Sequence, residues 1–188
     1  MEKAERFRVL IEPLHDRVLA FARSLCRSIS EGDDLFQEAM LLGFTKLHTL
    51  RDEQAFQAWT YRIVITVHRS RARRAFWRRL LPIGSNEARD DDQDPAHSGD
   101  YRVDWSPDAA EANRRARAAL AQLPTVQREA IVLFEIEGWK VEEIAEVQLV
   151  SVSAIKSRLA RGRERMRELY ESETAIEMKT EPTTEGSR

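Results

Sequence analysis

The sequence predicts an all-α chain: two small helical domains joined by a flexible acidic linker, the C-terminal one a helix-turn-helix. Three observations carry this. Apolar residues recur at helical spacing in one segment after another, and no period-two alternation is long enough to argue a sheet. Prolines, glycines and acids gather in a single central stretch, 81–107, that has little apolar content. Residues 141–160, VEEIAEVQLVSVSAIKSRLA, read as two short helices with a tight break between them. The 188 residues leave each half about 70–80 residues, near the lower end of what buries a working core alone.

Residues 1–80 form the first domain. Phe7, Leu10 and Ile11 belong to an opening helix, and Pro13 starts another that carries Leu14, Val18, Phe21, Ala22 and Leu25. Cys26, the only cysteine, lies on the apolar side of a helical stretch, so it reads as a core residue and excludes a disulfide framework. Residues 33–47 form an amphipathic helix with Leu35, Ala39 and Leu42 inward and Asp34, Gln37 and Glu38 outward. Ser30 with Asp33 is the expected capping pair, and acids suit the first turn because the helix dipole is positive there. In 56–74, Phe56, Trp59, Ile63 and Val67 make a buried stripe, and the helix ends in dense arginine.

Residues 81–107 are the linker and 108–171 the second domain. A helix ends near Leu123. Pro124 opens the next at a first-turn position, Val126, Ala130, Ile131, Leu133 and Phe134 give its apolar stripe, and Gly138 closes it. In the helix pair that follows, Ile144 and Ala145 face inward, Ser151 caps the second helix, and Ile155 and Leu159 fill its inner face. The opposite face carries Lys156, Ser157 and Arg158, then Arg161, Arg163, Arg165 and Arg167. A short helix bracing a longer basic one is the arrangement that places a helix in the DNA major groove. Leu149 stands at the bend, where the backbone favours φ > 0 and glycine. Either it accepts left-handed geometry at about 1 kcal/mol, or the turn is remodelled. The polar tail, 172–188, reads as disordered.

The net charge of −2 hides strong local patches. Seven arginines and no acid lie between 62 and 79, five acids and one arginine between 87 and 94, and six basic residues with one acid between 156 and 167. Phosphate attraction follows the local patches rather than the mean. The four histidines are scattered without metal-ligand spacing. Asp90–Asp94 lack the alternating ligands and closing glutamate of a calcium loop. There is no nucleophile elbow, phosphate loop or dinucleotide fingerprint. These features argue against an enzyme and against a cofactor. No secretory signal and no apolar run of membrane-spanning length is present, so the expected location is the cytoplasm.

The run LAQLPTVQREAIVLFEIEGW, then Val-Glu-Glu-Ile-Ala, Ile155-Lys156-Ser157-Arg158-Leu159 and the Arg161/Arg163 run, resembles the promoter-reading C-terminal domain of bacterial sigma factors. It looks most like the small extracytoplasmic-function group. In the first half, Asp33-Asp34-Leu35-Phe36-Gln37-Glu38 followed by the aromatic-basic helix resembles the sigma N-terminal domain. The resemblance implies promoter-specific transcription initiation with core RNA polymerase and promoter DNA as partners, an anti-sigma factor as regulator, and no membrane insertion. It implies that Asp33, Asp34, Gln37 and Glu38 dock on the clamp of the polymerase largest subunit. It further implies that Tyr61, Arg62, Thr66, Arg69 and Arg73 grip and melt promoter DNA, although Thr66 stands where the family has asparagine. In the helix-turn-helix, Ser151 opens the reading helix. Ser153, Lys156, Ser157 and Arg158 reach base edges or adjacent backbone, and Arg161 and Arg165 hold phosphates. The run Asp90-Asp91-Asp92 reads as a solvated spacer or, by the resemblance, as a nucleic-acid stand-in along the polymerase cleft. Two alternatives stay open: a sigma-like decoy that sequesters an anti-sigma factor, and a stand-alone helix-turn-helix regulator.

Overall fold

A computed structural model describes residues 2–80 and 107–180, with side chains for 2–77 and 114–172. The linker's Asp90–Asp94 run lies outside the described residues. Every regular element among the described residues is helical.

The first domain stacks α1 (Lys3–Ile11), α2 (His15–Leu25), α3 (Ile29–Lys46) and α4 (Phe56–Leu80). Pro13 sits in a single 3₁₀ turn, Glu12–Leu14, between the first two. Val18, Phe21, Ala22 and Leu25 of α2 meet Leu35 and Ala39 of α3 and Ile63, Val64 and Val67 of α4, all buried. The α2–α3 crossing is close because Gly32 faces Arg23. A Cβ at Gly32 would lie 2.5 Å from the Arg23 Cα. A satellite cluster of Leu47, Leu50 and Phe56 is covered by α1 through Phe7, Leu10 and Ile11.

The cap of α3 differs from the sequence expectation. Ser28, not Ser30, is the N-cap: its hydroxyl accepts from the Glu31 N–H at 3.1 Å, and the Glu31 carboxylate accepts from the Arg27 N–H at 3.1 Å. Ser28 thus satisfies one free N-terminal donor of α3, and the Glu31 carboxylate reaches past the cap to the N–H of the residue before it. Arg23, not Ser30, takes Asp33, at 2.6 Å.

The second domain comprises α5 (Pro107–Gln122), α6 (Thr125–Ile131), α7 (Val141–Gln148) and α8 (Val152–Thr180). Pro124 precedes the first residue of α6, whose last turn widens into a π turn over Val132–Ile136. Gly138 ends it at φ 71°, and the Trp139 N–H reaches back to the Leu133 carbonyl at 3.0 Å. Gly162 lets α8 lie against α6, since a Cβ there would come 2.8 Å from Ile131 Cγ1. Arg128, buried in α6, donates to the Leu123 carbonyl at 3.2 Å and to the Leu25 carbonyl of the first domain at 2.6 Å. It answers two helix-end carbonyls that would otherwise be orphaned. The expectation of disorder over 172–188 is corrected for 172–180, where α8 continues through Thr180; the rest of that stretch lies outside the described residues.

The two halves do not build separate interiors. One continuous buried cluster runs from Val18 and Phe21 through Tyr61 to Leu133, Trp139, Ile144 and Leu159. Halves of this size gain burial by sharing a core.

Candidate nucleic-acid interface

The helix-turn-helix forms where the sequence puts it. Ile144, Ala145 and Val147 of α7 and Ile155 and Leu159 of α8 are buried between the helices. Ser151 caps α8, its hydroxyl accepting from the Ala154 N–H at 3.2 Å. At the start of α7 the Glu143 carboxylate accepts from the Lys140 N–H at 2.7 Å. Leu149 keeps left-handed geometry, φ 56° and ψ 50°. The Val150 N–H then closes on the Ala145 carbonyl at 3.0 Å, the C-terminal lock that a glycine normally provides. The turn is therefore not remodelled, and the strain falls on a side chain that is 72% exposed.

Along α8, Ser153, Lys156, Arg161 and Arg165 are exposed and Ser157 is half-buried. Arg165 and Arg167 make i,i+3 pairs with Glu168 and Glu164, and Arg163 pairs with Glu135 and lies over the Phe134 ring at 5.2 Å. Arg158 is different. Its guanidinium donates to the Gln148 side chain of α7. Burial pulls its pKa down, the charge of Arg69 adds to that, and Glu129 opposes it.

On α3, Asp34 and Gln37 are exposed, whereas Asp33 and Glu38 face basic neighbours. Arg71 and Arg74 of α4 grip Glu38 at 2.7 and 2.9 Å, and Arg71 also donates to the Asp34 carbonyl at 2.8 Å. Burial alone would push the Glu38 carboxyl up. The hydrogen bonds and charges of Arg71 and Arg74 outweigh it and hold the group below its ordinary value.

On α4 the five residues expected to meet DNA divide. Arg73 and Thr66 are exposed, the Thr66 hydroxyl donating to the Arg62 carbonyl at 2.7 Å. Tyr61 is fully buried, its ring held between Phe21 and Trp139 at centroid distances of 4.7 and 4.8 Å, and its hydroxyl donates to Glu137 at 2.6 Å. A ring enclosed in this way cannot stack on a base while the two domains are packed together as they are here. Arg62 donates to the Glu146 carbonyl at 2.8 Å. Arg69 donates two hydrogen bonds, at 2.9 and 2.7 Å, to Glu129, a carboxylate with no solvent exposure that also bonds His68 at 3.1 Å. Tyr61, Arg62 and Arg69 therefore spend their polar groups on the second domain.

Residues 10–78 match the family description Sigma-70 region 2, and residues 113–166 match Sigma-70, region 4. The extracytoplasmic-function sigma factor SigM of Mycobacterium tuberculosis is 30% identical over 155 residues, covering 82% of this chain and 72% of that protein. The chain belongs to the extracytoplasmic-function sigma factors. The sigma-H factor of Pseudomonas aeruginosa is 29% identical over 168 residues, 84% of this chain and 82% of that one. Among solved structures, RpoE of Bartonella quintana in complex with the anti-sigma factor NepR aligns with a TM-score of 0.62 at 24% identity, over 89% of this chain and 98% of that one. CnrH in complex with the cytosolic domain of CnrY aligns at 0.60 and 26%, over 90% of each chain. The activity of a sigma factor is transcription initiation, the function the sequence suggests.

Four groups of this sigma factor escaped the sequence reading: Glu129, Glu137, Arg128 and Gln148. Glu137 takes Tyr61 and, at 3.4 Å, Arg17, with a side chain only 4% exposed. Glu129 was legible in principle, since it falls between Val126, Ala130 and Leu133 on an apolar helix where a charge must have a partner. Nothing local says that the partner lies 60 residues upstream. Cys26 is half-buried against the core, and burial pushes its thiol up to about 11, which leaves it an unreactive packing group at neutral pH. No helix among the described residues is long and apolar enough to cross a membrane.

Proposed function

We propose that this sigma factor binds core RNA polymerase through the α3 face of Asp33, Asp34, Gln37 and Glu38. Promoter opening falls to the α4 face of Tyr61, Arg62, Thr66, Arg69 and Arg73. The upstream element is read by α8 through Ser153, Lys156, Ser157 and Arg158, with Ser151 as its cap and Arg161 and Arg165 on phosphates. The carrying observation is the capped α8, which holds Ser153, Lys156 and Arg161 in solvent while Ile155 and Leu159 anchor it. The protein acts in the cytoplasm, without catalysis of its own; binding energy drives promoter melting.

Tyr61, Arg62 and Arg69 are engaged between the domains, so the arrangement described above is the idle form. Promoter binding requires the domains to part. A protein that binds both domains at once stabilises the idle form, and an anti-sigma factor is the expected partner. Two structural neighbours were solved with bound proteins, RpoE with the anti-sigma factor NepR and CnrH with the cytosolic domain of CnrY.

The test is transcription by purified chain plus core polymerase from the fragment upstream of its own gene. Asp34→Arg with Glu38→Arg should weaken core binding at least tenfold, while helical content stays near wild type. Wild-type core affinity in that variant overturns the α3 assignment. Arg158→Ala should alter sequence preference in the upstream element, and Arg165→Ala should weaken all sequences alike. Identical effects from the two remove the base-reading role.

A further inference from the structure

Gln148, the last residue of α7, is 2% exposed and stands one helical turn after the buried Ile144. Among the described residues its amide has one partner. The side-chain oxygen Oε1 accepts from Nη1 of Arg158, and the Nε2 group is buried with no acceptor. A buried donor without a partner destabilises a fold, and an apolar side chain of similar shape would remove that penalty. Packing alone therefore favours methionine or leucine at this position. What glutamine supplies that they lack is the oxygen, and the partner of that oxygen is Arg158.

Arg158 is half-buried at the margin of α8, between the inner Ile155 and Leu159 and the exposed Lys156 and Arg161. A free arginine samples many rotamers, and confining it to one geometry on binding costs entropy each time. The bond to Gln148 fixes one end of the guanidinium beforehand. It is the one hydrogen bond of Arg158 among the described residues, so Nε and Nη2 remain available. Those two parallel donors form a fork that matches O6 and N7 of guanine in the major groove. Gln148 and Arg158 both belong to the second domain, so the bond needs nothing from the first and persists when the domains part.

We propose that Gln148 is a positioning residue for promoter reading: it orients Arg158 so that the Nε and Nη2 edge meets a guanine of the upstream element. The inference rests on the base-reading role given to Arg158 above. It assigns part of the sequence preference to a buried side chain that touches no DNA itself.

The experiment loads the full chain onto core polymerase. Bound duplexes are then selected from the fragment upstream of its own gene, randomised across the upstream element. Arg158→Ala should lose one guanine preference that wild type shows. Gln148→Met should reduce the preference at that same base pair at least about fivefold and leave the other positions unchanged. Its melting temperature should not fall, because the unpaired Nε2 donor is gone. Gln148→Glu keeps an acceptor facing Arg158 and should keep the preference. Gln148→Met added to Arg158→Ala should change the motif no further. A guanine preference lost in Arg158→Ala but intact in Gln148→Met overturns the positioning role alone. A loss in Gln148→Met spread evenly over all base pairs also overturns it, because that marks a role in folding only. Equal loss in Gln148→Glu and Gln148→Met overturns it as well, since the acceptor then plays no part. If Arg158→Ala keeps the wild-type motif, the base-reading role falls first and this proposal falls with it.

Discussion

Replacing Arg69 with alanine should open the molecule. Arg69 supplies two of the hydrogen bonds that the Glu129 carboxylate accepts from the first domain, and Glu129 has no solvent exposure with which to recover them. Breaking a buried pair from one side costs about 3–5 kcal/mol, because the remaining charge is stranded. Two features reduce that figure. The Arg69 side chain is 32% exposed, and His68 keeps its contact at 3.1 Å. About 2 kcal/mol remains, and at 1.4 kcal/mol per tenfold this moves the closed-to-open ratio roughly thirtyfold. The assay is energy transfer between dyes at Leu41 of α3 and Glu168 of α8, both exposed, in a Cys26→Ser background. The radius of gyration by solution scattering is followed in parallel. Arg69→Ala should lower transfer and expand the particle. Arg73→Ala, which removes an exposed arginine of the same helix, should do neither. Adding Glu129→Leu to Arg69→Ala should restore closure, since the stranded charge is gone and its neighbours Ala130 and Leu133 are apolar and buried. Unchanged transfer in Arg69→Ala, or no rescue by Glu129→Leu, refutes the account of this contact as the domain clasp.

Three further outcomes test the scaffold. Leu149→Gly should raise stability by about 0.5–1 kcal/mol, a melting shift of a few degrees, because relief of the left-handed strain exceeds the added chain entropy; a lower melting temperature would show that the exposed leucine contributes contacts. Gly32→Ala should destabilise by about 1–3 kcal/mol in denaturant unfolding, since its Cβ would meet Arg23 backbone at 2.5 Å and the α2–α3 crossing must widen. Glu38 has a folded pKa below its ordinary value of 4.5, so its bonds to Arg71 and Arg74 stabilise above that pH and are lost as pH falls through the depressed folded value. The melting-temperature gap between wild type and Glu38→Gln should therefore be widest near neutral pH and shrink with acidification below 4.5; a gap independent of pH would show that the charge plays no part.

The sequence by itself determined the helices, their inner faces and the helix-turn-helix. Those features depend on neighbours three and four residues apart, and the run from Val141 to Leu159 states them without reference to the rest of the chain. Ser151, Gly138 and Pro124 mark helix ends for the same reason: their chemistry acts within one turn. The cap of α3 was misplaced by two residues because Ser28 and Ser30 are both competent caps. The Ser28 hydroxyl takes the Glu31 N–H, and Asp33 pairs with Arg23 rather than with Ser30. Only the tertiary structure decided what the α4 face does. Periodicity puts Tyr61, Arg62 and Arg69 on a polar-looking side, yet partners 60 to 84 residues away in sequence enclose them. Helical spacing fixes which side chains share a face. Whether that face meets water, DNA or a second domain depends on long-range burial, and here the buried Glu129 and Glu137 carboxylates resolve it by taking their donors from α2 and α4.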